Sequence, residues 1–228
     1  MKYAYLAATV AGALIMAGGC LAQAQSQSQP QTTSNDAPVG KKAGTFMIRV
    51  RAIDVIPENN SSSTTIGGNV HVTDQFAPEV DFSYFFTDHI AAELIAATTR
   101  HELKAVNTAV GDVDVGSTYV LPPTLLLQYH FAPHQRFSPY IGAGVNASLF
   151  YDTHSAKPVV TSLKLVDRFG EALQVGFDYN IKGHWFLNVD VKQIFLNTKA
   201  NAVTVLGPVS AKTSLDPLVV GVGLGYRF

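Results

Sequence analysis

Charged side chains that recur at every second position of otherwise apolar segments are the residues of this sequence best suited to chemistry. A period of two places alternate side chains on one face of a β-strand, so these charges oppose a face of large apolar residues. Both signs are present, and buried opposite charges need partners. We predict that Arg49 or Arg51 pairs with Glu79, Asp81 or Glu93. The whole predicted network is Arg49, Arg51, Glu79, Asp81, Glu93, Asp178, Asp190, Lys192 and Arg227.

Other residue types that could carry chemistry lack the spacing that chemistry needs. The seven histidines are scattered, with no HExxH or paired spacing, so we predict no metal site. His101, Asp152, His154 and Ser155 are available for nucleophilic catalysis, but no spacing joins a nucleophile to its base. We therefore predict no catalytic residue, no cofactor and no enzymatic activity.

Eight alternating segments must position these charges. They cover about 44–56, 77–87, 89–99, part of 113–131, 136–150, 169–180, 184–197 and 218–228. The connections between them are alternately long and short. Antiparallel strands put successive connections at opposite ends of a sheet, and outer-membrane barrels keep turns in the periplasm and loops outside. The sequence therefore predicts an all-β fold, an eight-stranded antiparallel transmembrane β-barrel with short periplasmic turns and long extracellular loops.

The C-terminal segment carries the clearest membrane pattern. Large apolar side chains alternate with mostly small ones from Leu218 to the final residue, Phe228. An outer-membrane strand turns its apolar face to lipid and places aromatic residues at the interface. We interpret Tyr226 and Phe228 as the signature that directs barrel insertion.

A soluble, lipocalin-like barrel is the alternative that this pattern leaves. It would turn the charged face to water and crowd the interior with Phe, Tyr and Trp, which leaves little room for a ligand. In a membrane the charges must point inward, because a charge that faces lipid at mid-membrane costs about 2–4 kcal/mol. The lumen of an eight-stranded barrel is nearly filled by side chains, so we expect the charges to form a structural plug rather than an ion path.

The N-terminus has the features of an export signal. Lys2 precedes an apolar stretch, and Ala22 and Ala24 fit the small-x-small cleavage rule, so residues 1–24 are predicted to be a signal peptide. The alternative is a lipoprotein acylated at Cys20. Residues 25–43 are rich in Gln, Ser and Thr and are predicted to be a flexible periplasmic segment, followed by the barrel at 44–228. The expected location is the outer membrane of a Gram-negative bacterium.

Composition agrees with a membrane barrel. The chain is 47% hydrophobic, with a formal net charge of −1 and no basic stripe, so nucleic acid is not an expected partner. After the signal no apolar run reaches the roughly 18 residues of a helical span.

Five groups of residues carry a further signal: 78–88, 121–124 with 127–131, 139–146, 185–192, and 216–217 continuing through 225–228. These runs resemble the outer membrane protein W (OmpW) family of small eight-stranded barrels. They occur in family order and cover most of 44–228. The resemblance implies a narrow channel that helps small hydrophobic molecules cross the outer membrane and releases them sideways into the bilayer. It implies as alternatives a structural barrel or a receptor for bacteriocins or phage. Membrane lipids, small hydrophobic molecules and, through the C-terminal strand, the barrel-assembly machinery are the expected partners.

Two further features bear on transport. Pro122 and Pro123 fall inside the fourth segment, and proline donates no ladder hydrogen bond, so they either end the strand or form a weak seam for lateral exit. The channel hypothesis also predicts that Met47, Phe85, Ile95 or the third long connection, about 151–168, line an apolar pocket at the outer end.

Overall fold

The alternating segments of the sequence form the strands of a closed barrel. The computed structural model describes residues 40–58, 61–64, 67–205 and 207–228. The predicted signal peptide, Cys20 and residues 25–39 lie outside these ranges. In the part of the chain that the structure describes, no helix is long and apolar enough to cross a membrane.

Fifteen β-strands lie within the described ranges. They are β1 (Phe46–Ile56), β2 (Ser61–Thr64), β3 (Asn69–Val72), β4 (Gln75–Phe85), β5 (Ile90–Ala97), β6 (Thr99–Thr108), β7 (Gly111–Leu121), β8 (Thr124–His130), β9 (Phe137–Ser155), β10 (Val160–Leu165), β11 (Arg168–Lys182), β12 (Trp185–Phe195), β13 (Asn197–Thr204), β14 (Gly207–Ser214) and β15 (Leu218–Arg227).

Eight of the strands form the barrel wall. Their order is β1, β4, β5, β8, β9, β11, β12 and β15, with every neighbour antiparallel, and β15 pairs with β1 to close the ring. The predicted eight-stranded antiparallel barrel is confirmed. Closure leaves none of these eight wall strands as a sheet edge, which is how a β-structure satisfies its backbone hydrogen bonds in lipid.

The two faces of the wall differ as the alternation predicts. Outward-facing side chains of β1, β8 and β15, such as Val50, Leu127 and Leu224, are exposed and apolar. The inward-facing side chains of the same strands are buried and mostly polar or small. A Cβ at Gly225 would overlap the Phe186 ring, so a glycine is needed where β15 passes this lumenal aromatic.

The seven remaining strands, together with the outer end of β9, form an outer extension at the long-connection end of the barrel. β7 pairs with β9 and carries β6 and β3, while β10, β13, β14 and β2 form a separate four-stranded sheet. The sequence predicted loops over most of these stretches, and the structure shows that they are largely strands. Their own alternation explains this, because Val70, Val72, Leu103 and Ala105 are buried together inside the extension.

The fourth predicted segment, part of 113–131, is not one strand. It divides into β7, which belongs to the outer extension, and β8, which belongs to the barrel wall. Pro122 and Pro123 lie between them, where the chain can offer no backbone N–H to a ladder.

Candidate functional site

The register between β1 and β4 places the first lumenal charges opposite one another. Arg49 is the Cα partner of Asp81, and Arg51 is the partner of Glu79. Arg49 Nη1 lies 2.7 Å from Asp81 Oδ1, and Arg51 Nε lies 2.8 Å from Glu79 Oε1. Both guanidinium groups are fully buried, so each depends on these carboxylates for neutralisation.

Glu93 on β5 joins the two arginines. Its Oε1 lies 3.0 Å from Arg49 Nη1 and 3.2 Å from Arg51 Nη2. Its Oε2 accepts hydrogen bonds from Gln128 Nε2 at 2.8 Å and Gln174 Nε2 at 2.9 Å. One carboxylate therefore links residues from four strands.

The opposite side of the barrel completes the network. Lys192 Nζ lies 2.9 Å from both Glu79 Oε1 and Asp190 Oδ2, and Asp190 Oδ2 also lies 3.1 Å from Arg51 Nη1. Asp178 Oδ2 lies 3.3 Å from Arg49 Nη2. Arginines of β1 thus contact carboxylates of β11 and β12 across the lumen.

Lys41 is a lumenal cation that the sequence analysis placed in the flexible segment. Its side chain is fully buried, with Nζ 2.7 Å from Asp178 Oδ2 and 2.8 Å from both Ser138 Oγ and His130 Nδ1. Its backbone N–H donates to the Pro133 carbonyl at 2.9 Å. Residues 40–43 therefore lie across the periplasmic end of the barrel. The buried ammonium group of Lys41 neutralises Asp178 there.

Arg227 takes a different position from the other predicted charges. Its guanidinium lies 5.4 Å from the centre of the Phe186 ring. Among the described residues no carboxylate lies within ion-pair distance of it. It is the penultimate residue of the chain and sits at the periplasmic end, below the ion pairs.

The three predicted channel-lining residues do not line one pocket. Met47 and Phe85 pack with Ala91 and Phe186 in a fully buried apolar cluster at the periplasmic end. Ile95 instead lies at the outer end of β5, where it lines a separate cavity. All three share the inward face, but Met47 and Phe85 adjoin the turn ends of their strands and Ile95 adjoins the loop end. This corrects the expectation of a single outer pocket.

An apolar cavity of about 90 Å³ lies at the outer end of the barrel. Leu165, from the third long connection, and Phe150 of β9 also line it. Glu79 and Lys192 lie at its inner end, where the charge network begins. A second apolar cavity of about 50 Å³ lies farther out and shares Val70, Leu103 and Ala200 with the first.

The wall of the first cavity is interrupted at the two prolines. Pairing between β5 and β8 ends at Ile95 and Thr124, and pairing resumes between Thr99 of β6 and Val120 of β7. Within the described chain, no ladder pairing joins 96–98 to 121–123. Both Ala97 and Pro122 line the cavity, so the interrupted ladder lies between the cavity and the outside of the barrel.

His101 is a buried titratable group in the wall of this cavity. Its Nδ1 lies 2.9 Å from the Thr73 carbonyl oxygen and its Nε2 lies 3.0 Å from Thr99 Oγ1. A carbonyl can only accept, so Nδ1 carries the proton and Nε2 accepts from the hydroxyl. Burial lowers the pKa of His101 from 6.5, against the opposing effects of the Thr73 bond and the Asp74 carboxylate.

The other groups considered for chemistry stay apart. Asp152 and His154 form an exposed pair 3.8 Å apart, whereas His101 lies in the cavity wall. Across the described ranges, no three His, Cys, Asp or Glu residues are arranged to hold a metal ion.

The chain that folds into this charged barrel with an apolar outer cavity matches the model of a known protein family. The model of the OmpW family matches residues 42–228. The chain belongs to the OmpW family. The resemblance drawn from sequence runs is thereby confirmed.

Two relatives that are outer-membrane proteins match most of the sequence. An uncharacterized outer-membrane protein of Sinorhizobium fredii is 45% identical over 98% of this chain and 97% of its own length. Outer membrane protein W of Escherichia coli is 34% identical over 82% of this chain and 90% of its own. These relatives are outer-membrane proteins, and this OmpW-family barrel is located in the outer membrane.

A solved OmpW-like structure agrees with the fold. The crystal structure of the outer membrane protein OprG from Pseudomonas aeruginosa has a TM-score of 0.77 and 32% identity. It covers 83% of this chain, and the match includes 98% of the OprG chain. The two chains therefore share the barrel architecture that positions the lumenal residues.

Sequence reasoning missed three kinds of contributors to this OmpW-family site. Lys41 lies outside any alternating segment, so its only signal is its position just before β1. Gln128 and Gln174 lie on the inward face but carry no charge, and alternation alone could have found them. Asn146, Thr124 and Ser148 form a polar cluster beside Pro122 that depends on the register between β8 and β9.

Proposed function

We propose that this protein is an outer-membrane channel for passive uptake of small hydrophobic molecules, with lateral release into the bilayer. The observation that carries the proposal is the apolar cavity, which adjoins a charged layer below and an interrupted ladder at its side.

Entry is supported by the apolar interior of the outer extension. The two cavities share lining residues, so apolar surface continues from the extension to the level of the barrel wall. Burial of an apolar solute there is favourable by roughly 25 cal/mol for each Å² removed from water.

The layers beneath the cavity oppose passage straight through the barrel. The ion pairs of Arg49 and Arg51 fill the lumen, and the cluster of Met47, Phe85, Ala91 and Phe186 lies farther toward the periplasm. An apolar molecule offers no replacement for the hydrogen bonds of buried charges, so moving through this layer would be costly.

The interrupted ladder supports release at the side. Separation of two paired strands breaks backbone hydrogen bonds that lipid cannot replace. Between 96–98 and 121–123 that pairing is already missing, and the two residues of these ranges that line the cavity, Ala97 and Pro122, are small or rigid. A local opening here is therefore easier than elsewhere in the wall.

Uptake of a hydrophobic fluorescent probe into liposomes tests the proposal. Vesicles with the refolded protein should take up the probe faster than vesicles without it. The double substitution Pro122→Ala with Pro123→Ala should slow uptake, because it restores backbone N–H groups, and the one that faces β5 can complete the ladder. Pro78→Ala is the matched control, since Pro78 is a wall proline outside the cavity lining.

A second pair of variants separates the cavity from the outer surface. Ala97→Leu fills the cavity beside the gap and should slow uptake. Ala96→Leu adds the same atoms to the neighbouring side chain, which is exposed on the other face, and should leave uptake near the wild-type rate. Equal uptake with and without the protein would contradict the proposal and favour a structural or receptor barrel that displays its outer extension.

A further inference from the structure

The interrupted ladder leaves backbone carbonyls that need partners. Pro122 and Pro123 have no N–H, so their carbonyl oxygens are their only backbone hydrogen-bonding groups. Near the hydrocarbon layer no water is available, and an unsatisfied carbonyl is expensive. Where these two carbonyls find their donors therefore decides to which side of the gap the segment is attached.

Both carbonyls are satisfied away from β5. The Pro123 oxygen accepts from the Ala147 backbone N–H of β9 at 2.9 Å. The Pro122 oxygen accepts from Asn146 Nδ2, also on β9, at 3.2 Å and from Thr124 Oγ1 at 3.0 Å. The proline segment is thus attached to β9 and leaves the β5 side without ladder bonds.

The amide of Asn146 is held in one orientation by its neighbours. Asn146 Nδ2 donates to Thr124 Oγ1 at 2.8 Å, and Ser148 Oγ donates to Asn146 Oδ1 at 2.7 Å. All three side chains are buried, and Thr124 and Ser148 line the apolar cavity. Buried polar groups are stable only when their hydrogen bonds are satisfied, and the outward bond of this cluster goes to the Pro122 carbonyl.

We propose that Asn146 is a positioning residue of the lateral opening: its amide binds the Pro122 carbonyl on the β9 side and so prevents that carbonyl from completing the ladder with β5. This inference rests on the proposed function for its effect on uptake. Its structural part concerns only which donor the Pro122 carbonyl uses, and it can be tested without transport.

Loss of the amide has a defined consequence. In Asn146→Leu the side chain keeps nearly the same shape but has no donor. The Pro122 carbonyl then gains a full set of bonds only by turning toward an N–H of the facing residues 96–98. The gap narrows, and a molecule in the cavity loses its exit.

The first test measures uptake of the hydrophobic probe into liposomes that contain Asn146→Leu. We expect a decrease of roughly fivefold, the factor that corresponds to about one net hydrogen bond. Asn201→Leu is the matched control, because it makes the same substitution at an exposed asparagine of β13 that lines neither apolar cavity. It should keep uptake near the wild-type rate.

The second test measures amide hydrogen exchange at 96–98 in lipid nanodiscs. Exchange at one or more of these amides should slow in Asn146→Leu, because a new ladder bond protects it, while the rest of β5 is unchanged. A merely structural role for Asn146 would produce the opposite result, faster exchange around the gap. If Asn146→Leu does not fold, Asn146→Ser is used, since its hydroxyl is too short to reach the Pro122 carbonyl.

A double-mutant comparison tests whether Asn146 acts through the interrupted ladder. In the background of Pro122→Ala with Pro123→Ala, Asn146→Leu should slow uptake no further, since the ladder can already close. Unchanged or faster uptake in Asn146→Leu, or faster exchange at 96–98, would overturn the inference. If the wild-type protein itself gives no uptake, the proposed function fails, and the exchange measurement alone decides the role of Asn146.

Discussion

Lys41 Nζ lies 2.7 Å from Asp178 Oδ2 inside the lumen, although Lys41 precedes the first strand and Asp178 belongs to β11. The nine charges identified from alternation are four cations and five carboxylates. Lys41 is the fifth cation and brings the formal charge of the set to zero. The network is therefore complete only when residues 40–43 lie across the periplasmic end.

Lys41→Met should lower the free energy of unfolding by about 3 kcal/mol, the low end for a broken buried pair. The loss is limited because Arg49 and Asn188 Nδ2 still contact Asp178. Urea unfolding in lipid vesicles, followed by the fluorescence of the single tryptophan, Trp185, measures it. Lys42→Met is the control, since Lys42 is exposed, and it should change stability by less than about 0.5 kcal/mol. Equal stability of the two variants would contradict the role given to Lys41.

Glu93→Leu should cost more than the loss of Lys41, about 3–5 kcal/mol, because Glu93 neutralises both buried arginines. Its removal also leaves Gln128 and Gln174 without their shared acceptor. The same urea titration measures the change. Glu93→Gln keeps one acceptor oxygen, so its free energy of unfolding should fall by less than that of Glu93→Leu. A Glu93→Leu protein as stable as wild type would show that the ion pairs contribute nothing net to the fold.

Acidification should destabilise the outer extension around His101. The pKa of the buried imidazole is lowered from the unfolded value of 6.5. Below pH 6.5 the unfolded segment therefore binds more protons than the folded one. The stabilisation of the folded extension by the neutral imidazole is complete above pH 6.5, and it is lost as the pH falls through the folded pKa. Amide exchange of β3 and β6 above and below 6.5 measures the effect. His101→Gln should remove this pH dependence, and its persistence in the variant would assign it to another group.

Phe228→Ala should distinguish recognition of the C-terminal strand by the barrel-assembly machinery from the contribution of the Phe228 ring to barrel stability. The Phe228 ring lies 5.9 Å from that of Phe46 and 4.9 Å from that of Tyr226, measured between ring centres. If the barrel-assembly machinery reads this ring, the variant should reach the outer membrane poorly in cells but refold in detergent. Phe46→Ala removes the same ring contact and keeps the C-terminal residue, so it should assemble well. Equal assembly of the two variants would mean that only packing matters.

The sequence predicted the strands and the face on which each charge lies, because a period of two is a local property of the chain. Arg49, Asp81 and Lys192 were placed on the inward face in this way. The same pattern was present in 69–72 and 99–106, and the prediction failed there because those stretches were taken as loops. Alternation reports which face a side chain occupies, but not its height along the barrel. This is why Met47 and Ile95 were placed in one pocket.

The sequence by itself determined a membrane barrel with an apolar outer surface and a charged lumen, because lipid and lumen impose opposite requirements on alternate residues. Only the tertiary structure decided which charges meet, since closure of the ring brings Arg49 to Asp178, 129 residues away. It also decided that Lys41 enters the lumen and that Asn146 binds the Pro122 carbonyl. Those contacts depend on the register between strands, and register is set by the packing of the whole barrel rather than by any one segment.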